Sequence, residues 1–443
     1  MRVIQTILIS YAVSQLMSVT LTADELEARV APPVGERQLP LAMHSRMEQQ
    51  PSITVGNKDA ALVGNDNRVL QAAVDYIAAL GGGTVEVGAG EFLMHDSLHL
   101  RSHVTVHGIE GQTILRKAKG FESRLALDGD FGEQQLTLKN ADGFEIGHGI
   151  AVWDKNAGGF HTTVARITGR SGNTFSIDRP LMADCMVGND ASAATVFPVV
   201  SGYDLQAARV ENLTIEGNKE KNASLNGCRG AGIFLYRGFG TTISKCTVRN
   251  YNGDGFSFQQ SNDVTITNCV SEGNSQLGFH PGSGSQRPEL TANHARNNGT
   301  DGLFLCWRVR HGVFVNNLLE DNGRYGISIG HKDSDNLLQG NHVLRNGHDG
   351  IYFRNETFGM AAHRNRLREN VIENNGTKGP AAGIRVRGET DGLIFENNRI
   401  RDTRSEAAQT QTTGILIEKQ AGRVTLLKNE IEARNTIDDK REQ

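Results

Sequence analysis

Apolar and polar residues alternate in a series of short segments, and each segment begins at a glycine. In "GISIGHK" from Gly326 and "GIYFRNE" from Gly350, the first and third residues after the glycine are apolar, whereas the second and fourth vary. A period of two predicts a β-strand with one face turned inward. Eight glycines mark these segments: Gly232, Gly255, Gly278, Gly302, Gly326, Gly350, Gly383 and Gly414.

The spacing of these glycines indicates a repeat. Successive intervals are 23, 23, 24, 24, 24, 33 and 31 residues, and a nearly constant period in the twenties is typical of stacked units that cannot bury their apolar face alone. Asn-Gly turns recur between the segments. Several short strands per unit predict one coil of a parallel β-helix. Asparagines stand at what we interpret as matching points, namely Asn268, Asn293, Asn317, Asn341 and Asn370.

A helical period replaces the strand period in "NRVLQAAVDYIAAL". Val69, Leu70, Ala73, Val74 and Ile77 share one face of the predicted helix. Short strands separated by glycine turns follow up to residue 116. A helix at this position would cover the open end of the solenoid, where unpaired strand edges favour aggregation. We therefore predict a short N-terminal capping helix.

This helix, the following "GGGTVEVGAGEF" and "LRSHVTVHG" resemble the start of pectate-lyase-type domains in the pectin-lyase-like superfamily. With the coils, the resemblance covers residues 53–432. It implies an all-β fold, a single-stranded right-handed parallel β-helix. It does not define the activity, because this fold carries lyases, hydrolases, epimerases and phage tailspikes.

The rest of the chain divides around that domain. Residues 1–23 are basic and then largely apolar, which predicts a secretory signal peptide and a secreted or periplasmic protein; a disordered or capping arm is the alternative. Residues 24–52 are interpreted as an irregular linker and residues 433–443 as a polar tail. Residues 137–200 interrupt the repeat and predict an elaborated coil or side sheet.

Composition and charge narrow the possible partners. The 443 residues include 51 glycines but are 38% hydrophobic, so the glycines indicate turns and not disorder. The net charge is −4 without a basic run, which argues against nucleic acid. The N-terminal stretch is too polar for a membrane span. The oligomeric state is left open.

The cysteines do not indicate a disulfide framework or a metal site. Their number is odd and they are scattered, and no metal-ligand spacing with histidine appears. Cys246 and Cys269 occupy matching positions in adjacent coils, which suggests a buried stack. We expect no cofactor. Calcium is possible in this fold but is not indicated here, because the outward face offers few carboxylates, mainly Asp333 and Glu356.

Residues at equal positions of successive coils should form columns about 4.8 Å apart per step. The first outward column is Phe234, Ser257, His280, Phe304, Ser328, Tyr352, Arg385 and Leu416. The second is Tyr236, Gln259, Gly282, Cys306, Gly330, Arg354, Arg387 and Glu418. In "LGFHPG", this register turns His280 outward, and Pro281 with Gly282 bends the chain to open a cleft beside Trp307.

The columns predict a binding stripe. Residues 301–388 contain 12 Lys and Arg against 9 Asp and Glu, interleaved with aromatic rings and histidines. Arginine binds carboxylate or sulfate, and aromatic faces cover sugar rings, so an anionic polysaccharide is the predicted partner. The candidate substrate-binding residues are Trp307, Arg308, Arg354, Glu356, Arg385 and Arg387. The candidate catalytic residues are His331, His280, Tyr352 and Lys332, with His331 as the first choice of base.

Three functions fit such a stripe. Elimination at a uronic acid is the first, since arginine would neutralise the carboxylate while a histidine or tyrosine moves the protons. Hydrolysis needs paired carboxyl groups, and the polygalacturonase motifs of this fold are only echoed here. "LGFHPG" resembles the "YGFDPH" stretch of mannuronan epimerases at Gly278, Phe279 and Pro281, but the three reactive positions differ. A non-catalytic glycan-binding or cell-surface β-helix is the remaining alternative.

Overall fold

A computed structural model describes Met47 and residues 49–442. The predicted signal peptide and nearly all of the predicted linker lie outside the described residues. The capping helix spans Asn67–Ala79, where the carboxylate of Asp66 accepts a hydrogen bond from the backbone N–H of Arg68. Leu70, Ala73, Val74 and Ile77 are buried against the first coil. This apolar face closes the N-terminal end of the solenoid, as predicted.

Three long parallel sheets form the coils, and the chain passes from the first to the second to the third in each turn. Apolar side chains from all three sheets fill one continuous core. This is the predicted right-handed parallel β-helix, in which each strand pairs with the equivalent strand of the next coil.

The first face contains the strands Leu98–His99, Val200–Tyr203, Ala231–Tyr236, Asp254–Gln259, Phe279–Gly282, Leu303–Phe304, Ile327–Ile329, Ile351–Phe353, Ala381–Val386, Gln411–Ile417 and Asn435–Asp439. The second face contains Leu62–Val63, Ser52–Gly56, Gly83–Val87, Val104–His107, Arg209–Glu211, Thr242–Ser244, Thr265–Thr267, Glu289–Thr291, Val313–Val315, Leu337–Gln339, Arg366–Arg368, Leu393–Glu396 and Val424–Leu427. The third face contains Gly90–Met94, Thr113–Lys117, Thr214–Glu216, Thr247–Arg249, Val270–Glu272, His294–Arg296, Leu318–Glu320, His342–Leu344, Val371–Glu373, Arg399–Arg401 and Glu430–Glu432.

The strand register gives the columns that the sequence predicts. Ser257 pairs with His280, and Ser328 pairs with Tyr352 and through it with Arg385. Cys306 pairs with Gly282 in the second column. The first-face strands therefore stack without a slip across these coils.

Two buried asparagine ladders connect successive coils through side-chain amides. One runs through Asn293, Asn317, Asn341, Asn370, Asn398 and Asn429. The other runs through Asn274, Asn298, Asn322, Asn346 and Asn375 and ends at Gln411. The position assumed for Asn268 was wrong by one residue: Cys269 takes the ladder position, and its backbone N–H donates to Asn293 Oδ1.

The cysteine stack lies next to the first of these ladders. Cys246 and Cys269 are buried in adjacent coils, and the backbone N–H of Cys246 contacts Cys269 Sγ at 3.4 Å. All five cysteines are free thiols.

Residues 118–199, inserted between the first two complete coils, form a separate antiparallel structure that we call the side barrel. Its strands, in spatial order, are Glu122–Arg124, Ser192–Ala194, Gly149–Trp153, Thr163–Ser171, Thr174–Ile177 and Gln135–Thr137. A bridge between Leu125 and Leu138 joins the two outer strands and closes the sheet on itself. Its interior is an independent apolar cluster that includes Phe144, Val152 and Phe175.

At the C-terminal end, Asn435–Asp439 pairs with Gln411–Ile417 and extends the first face beyond residue 432. Short 3-10 turns occur at Gly159–His161, Val187–Asn189, Lys219–Lys221, Phe358–Met360, Glu406–Ala408 and Lys440–Glu442. Among the described residues, no helix is long and apolar enough to cross a membrane.

Candidate functional site

The side barrel and the loop at residues 224–228 stand over the first face and leave a cleft of about 410 Å³. Trp153 and Thr162 of the side barrel form one wall. His280, Phe304 and Cys306 from the two columns form the floor. The first column is thus outward with respect to the coils but covered by another part of the chain, and His280 is only 3% exposed.

An acid–histidine pair occupies the floor of this cleft. His280 Nδ1 lies 2.7 Å from Asp254 Oδ2, and the other Asp254 oxygen accepts the backbone N–H of Leu277 at 3.1 Å. His280 Nε2 is buried and has no hydrogen-bond partner among the described residues. Because Asp254 fixes the ring through Nδ1, Nε2 is the nitrogen left to exchange a proton with a bound molecule.

The electrostatics of the floor favour a protonated imidazole. Burial of the ring lowers the pKa of His280, but the hydrogen bond to Asp254 and the interaction with Cys306 raise it more, to about 10. At neutral pH, His280 is therefore an imidazolium in a largely desolvated site. It is suited to donate a proton or to hold an anion.

Gly227 lets the backbone pass directly over this pair. A Cβ at Gly227 would lie 1.6 Å from Asp254 Oδ2 and 2.8 Å from His280 Nδ1, so no other residue fits. Ser257, from the first column, donates its hydroxyl to the Gly227 carbonyl at 2.6 Å. The loop is thereby held against the floor of the cleft.

A flat aromatic surface lies beside the cleft. The rings of Trp307 and His331 stack with centroids 4.6 Å apart and an angle of 2° between planes, and Phe160 of the side barrel packs on Trp307 at 5.8 Å. His331 Nδ1 pairs with Glu356 Oε1 at 2.6 Å. Trp307 remains 38% exposed. Three residues of the predicted stripe thus form one assembly, in which Glu356 orients His331.

Two predicted substrate-binding arginines are held by the protein itself. The Arg354 guanidinium donates to the Leu305 carbonyl at 2.7 Å and to Asp333 at 3.0 Å, and it covers the Phe304 ring at 4.5 Å. Arg385 pairs with Glu418 at 2.9 Å. Through its packing on Phe304, Arg354 supports the floor of the cleft.

The remaining stripe residues lie outside the lining of the cleft. Tyr352 stacks on Tyr325 at 4.2 Å, and its hydroxyl accepts a hydrogen bond from Arg387 at 3.0 Å. Arg308 and Lys332 sit in turns with positive φ, of 67° and 66°. Neither side chain forms an ion pair with the described part of the chain; Arg308 is exposed and Lys332 is half-buried.

The environment of Asp254 repeats along the first face. Asp301 and Asp349 occupy the same place before the glycine, and each accepts a backbone N–H from the next coil, as Asp254 does. Their cationic neighbours are arginines: Arg324 at 2.7 Å from Asp301 and Arg385 at 3.8 Å from Asp349. A carboxylate at the position before the glycine therefore connects two coils through this hydrogen bond. What distinguishes Asp254 is a histidine partner and its position in the cleft.

The acid–histidine arrangement at His99 has no room for a ligand. His99 contacts Asp96 at 2.9 Å and Ser201 at 3.1 Å, in the order of a hydrolytic triad. The space beside it is about 10 Å³, no more than a single water molecule needs. We assign it to packing between the first coils and the side barrel.

Sequence reasoning identified His280 as a candidate but missed Asp254, Gly227 and Trp153. The sequence could have identified Asp254. It directly precedes Gly255, which begins the repeat segment one coil before His280, and the strand register brings the two residues together. Trp153 lies in the segment that breaks the repeat, and its sequence carries no sign of which coil it will face.

Comparisons with known proteins support the architecture. The family model described as right-handed beta helix region matches residues 231–400, and that of the periplasmic copper-binding protein NosD matches residues 108–301. No curated protein matches the sequence. These matches, with the solved structures below, confirm the predicted fold, a right-handed parallel β-helix.

Three solved structures illustrate the range of proteins with a similar fold. The A-module of a mannuronan C-5 epimerase from Azotobacter vinelandii is 17% identical with a TM-score of 0.57, covering 86% of this chain and 97% of its own. The surface protein and adhesin PfbA of Streptococcus pneumoniae is 14% identical (TM-score 0.54; 87% and 98% covered). A polygalacturonase from Erwinia carotovora is 13% identical (TM-score 0.52; 90% and 97% covered). At these identities the likeness shows the fold alone.

The described residues do not fit a copper site of the kind that the NosD description suggests. Histidine and cysteine are among the ligands that hold copper in proteins, and no group of three or more His, Cys, Asp or Glu side chains in the described part of the chain could hold a metal ion. We derive no step through copper.

Proposed function

We propose that this protein binds an acidic polysaccharide in the cleft between the first face and the side barrel and cleaves it by β-elimination. The observation that carries the proposal is the buried His280–Asp254 pair, whose free Nε2 lies in an open cleft. A titratable group whose pKa is perturbed by burial and by a specific charge partner, and which lies in a cleft, is a candidate for a functional site.

The shape and lining of the cleft support a sugar ligand. Its volume of about 410 Å³ falls within the range of small-molecule sites, roughly 300–1,000 Å³. Trp153 and Phe304 supply apolar faces, while Thr162 and Asn226 supply hydrogen-bonding groups. The exposed Trp307 continues this surface outside the cleft, where a neighbouring sugar ring would stack.

The arrangement of charges favours elimination over hydrolysis. Hydrolysis of a glycosidic bond uses two carboxyl groups on either side of it, but Asp254 is the one carboxylate among the described residues that lines the cleft, and it is paired with His280. Elimination instead needs a positive charge near the uronate carboxylate and an acid for the leaving oxygen. Protonated His280 provides the acid and the positive charge inside the cleft, while Arg308, in the turn after Trp307, adds a cation outside its lining.

The test compares products from a panel of uronic-acid and sulfated polysaccharides. An elimination produces unsaturated ends that absorb in the ultraviolet, whereas hydrolysis produces reducing ends without that absorbance. We expect unsaturated ends from one panel member and a loss of about 10²–10⁴-fold in His280→Gln, the range for a positioned acid or base. Reducing ends alone would replace the proposal by a hydrolase.

The second candidate function is non-catalytic glycan binding. It is favoured by the repetition of the Asp254 environment at Asp301 and Asp349, which shows that such a carboxylate can serve coil stacking alone. Binding of a panel member without any product would support it.

The same proposal of a polysaccharide ligand implies a secreted or periplasmic location.

A further inference from the structure

Burial along the first column changes at the cleft. The outward residues of the coils up to the cleft floor are buried, namely Ser201, Phe234, Ser257 and His280. In the coils that follow, Phe304 and Tyr352 are half-buried. Ser328, between them, is hydrogen-bonded by the half-buried Arg354 of the second column. A chain that lies along this column therefore meets a covered surface beyond His280.

The side barrel packs directly on the coils before the cleft. Arg179 of the barrel lies over the ring of Tyr203 at 3.9 Å, and Tyr203 pairs with Tyr236 of the second column. The space between the barrel and Ser201 and Tyr203 is about 10 Å³, no more than a single water molecule needs. A sugar unit does not fit there.

The loop that carries Gly227 closes the cleft on the same side. Its Leu225 is buried in an apolar cluster with three residues of the barrel, Ala151, Ala194 and Val196. At the floor, the hydroxyl of Ser257 donates to the Gly227 carbonyl at 2.6 Å. The loop is attached to the barrel on one side and to the first face on the other, so it forms an end wall of the cleft.

A turn of the barrel closes the cleft on the side where the first-face strands end. Gly158 and Gly159 line the cleft. The carbonyl of Phe160, the next residue, accepts a hydrogen bond from Arg229 Nε at 2.5 Å. The ring of Phe160 packs on Trp307, which follows the end of its strand, at 5.8 Å. The turn therefore reaches from the loop to Trp307 and forms a second wall.

We propose that the cleft binds the end of a polysaccharide chain, so that the protein acts on the terminal sugar units and not within the chain. The proposal rests on the polysaccharide ligand proposed above. An internal unit has neighbours on both sides and needs a path through the cleft. The loop at Gly227 blocks the path along the column, and the turn at Phe160 blocks the path across the face. A chain end needs a single mouth, which the exposed Asn226 and Gln276 border.

The position of His280 places the reaction close to the chain end. A Cβ at Gly227 would lie 2.8 Å from His280 Nδ1, so the imidazole stands beside the end wall. A proton donated from Nε2 then reaches a linkage next to the terminal unit. The products should therefore be short from the first turnover, while the remaining polymer keeps nearly its length.

The first experiment counts proteins per chain and needs no turnover. Calorimetric titration of His280→Gln, which prevents cleavage, uses a short and a long preparation of a panel polysaccharide. We expect a single protein per chain at both lengths, because each chain has one end of the kind that fits. A count that grows with chain length overturns the inference and leaves polysaccharide binding intact. An absence of binding to every panel member overturns the proposed function together with the inference.

The second experiment measures the size of early products by gel filtration, on the panel member that the parent protein cleaves. We expect the shortest products from the start beside polymer of nearly the original length. Products of intermediate length at early times overturn the inference but not the elimination, which the ultraviolet absorbance of the unsaturated ends reports separately.

A pair of phenylalanine variants tests the second wall. Phe160→Ala removes the ring that packs on Trp307, so the path across the face opens and longer products should appear. Phe131→Ala removes an exposed ring of the same barrel that does not line the cleft, and its products should match those of the parent protein. Identical products from both variants would overturn the role of Phe160 as a wall.

Discussion

The ionisation of His280 depends on side chains of the adjacent coils, Asp254 and Cys306. The contribution of Asp254 can be measured against a control. Asp254 differs from Asp349 in having a histidine partner in the cleft, although both accept a backbone N–H from the next coil. The two positions therefore form a natural pair of test and control.

Replacing Asp254 by asparagine should leave the coil contact in place, because the amide oxygen still accepts the Leu277 N–H. The negative charge that holds the imidazolium is lost, so turnover should fall about 10²–10⁴-fold. Asp349→Asn makes the same chemical change outside the cleft and should leave turnover within about threefold. Steady-state rates of both variants on one substrate decide this, and equal losses would mean that the aspartates serve only to stack the coils.

The ionisation of His280 also predicts a pH dependence of stability. Its folded-state pKa, raised to about 10, lies above the ordinary value of about 6.5. This stabilising contribution is therefore complete below about pH 6.5 and is lost as the pH rises through 10. Denaturant unfolding at about pH 6 and pH 9 should show a larger loss for the parent protein than for His280→Gln. The same pH slope in both proteins would contradict the ion pair.

At the scale of elements, the asparagine ladder carries the contacts between coils. Asn341 accepts from the backbone and amide of Asn317, and it donates to the Phe314 carbonyl and to Asn370. All these groups are buried, so an alanine leaves them without partners.

Asn341→Ala should lower the free energy of unfolding by about 1–3 kcal/mol or more, the cost of unsatisfied buried polar groups. Asn355→Ala, at an exposed position between strands, is the matched control and should change stability by less than about 0.5 kcal/mol. Denaturant titrations at one pH compare the two, and an equal effect would show that the ladder adds nothing to stability.

The side barrel is the element that makes a cleft out of an open strand face. Phe175 is fully buried in its separate core, whereas Phe131 of the same segment is 72% exposed. Phe175→Ala should destabilise the barrel by about 3–5 kcal/mol, while Phe131→Ala should have little effect.

The readout is hydrogen exchange together with polysaccharide binding. Phe175→Ala should raise exchange in residues 118–199 and weaken binding, because Trp153 and Thr162 lose their support. The coils after residue 300 are built on the core of the solenoid, which is separate from the core of the barrel, and they should keep their protection. Unchanged binding by a protein with a loosened barrel would show that the barrel wall does not contact the ligand.

At the scale of the whole molecule, the location of the protein follows from the ligand that we propose. A polysaccharide ligand outside the cytoplasm requires export, and the sequence of residues 1–23 has the pattern of a signal peptide. We expect the mature protein from its native source to begin within residues 18–24. N-terminal sequencing measures this directly, and an intact Met1 on cytoplasmic material would contradict it.

The sequence by itself determined the repeat, the fold and the columns. Period-two alternation and glycine spacing are local properties, and a stack of equal coils converts local position into spatial neighbourhood. For this reason the spacing alone places Ser257, His280 and Phe304 in one column and makes His280 a candidate. The same rule finds Asp254 when the position before each glycine is followed as well.

Only the tertiary structure decided which part of the stripe became a cleft. The side barrel departs from the repeat, so no register relates Trp153 or Phe160 to the coils they face. Its packing covers His280 and the neighbouring Asp254, whereas His331 and Tyr352 stay outside the cleft. The burial and the ionisation of His280 depend on contacts between segments about 100 residues apart. A pattern with a period of two dozen residues carries no information on such contacts.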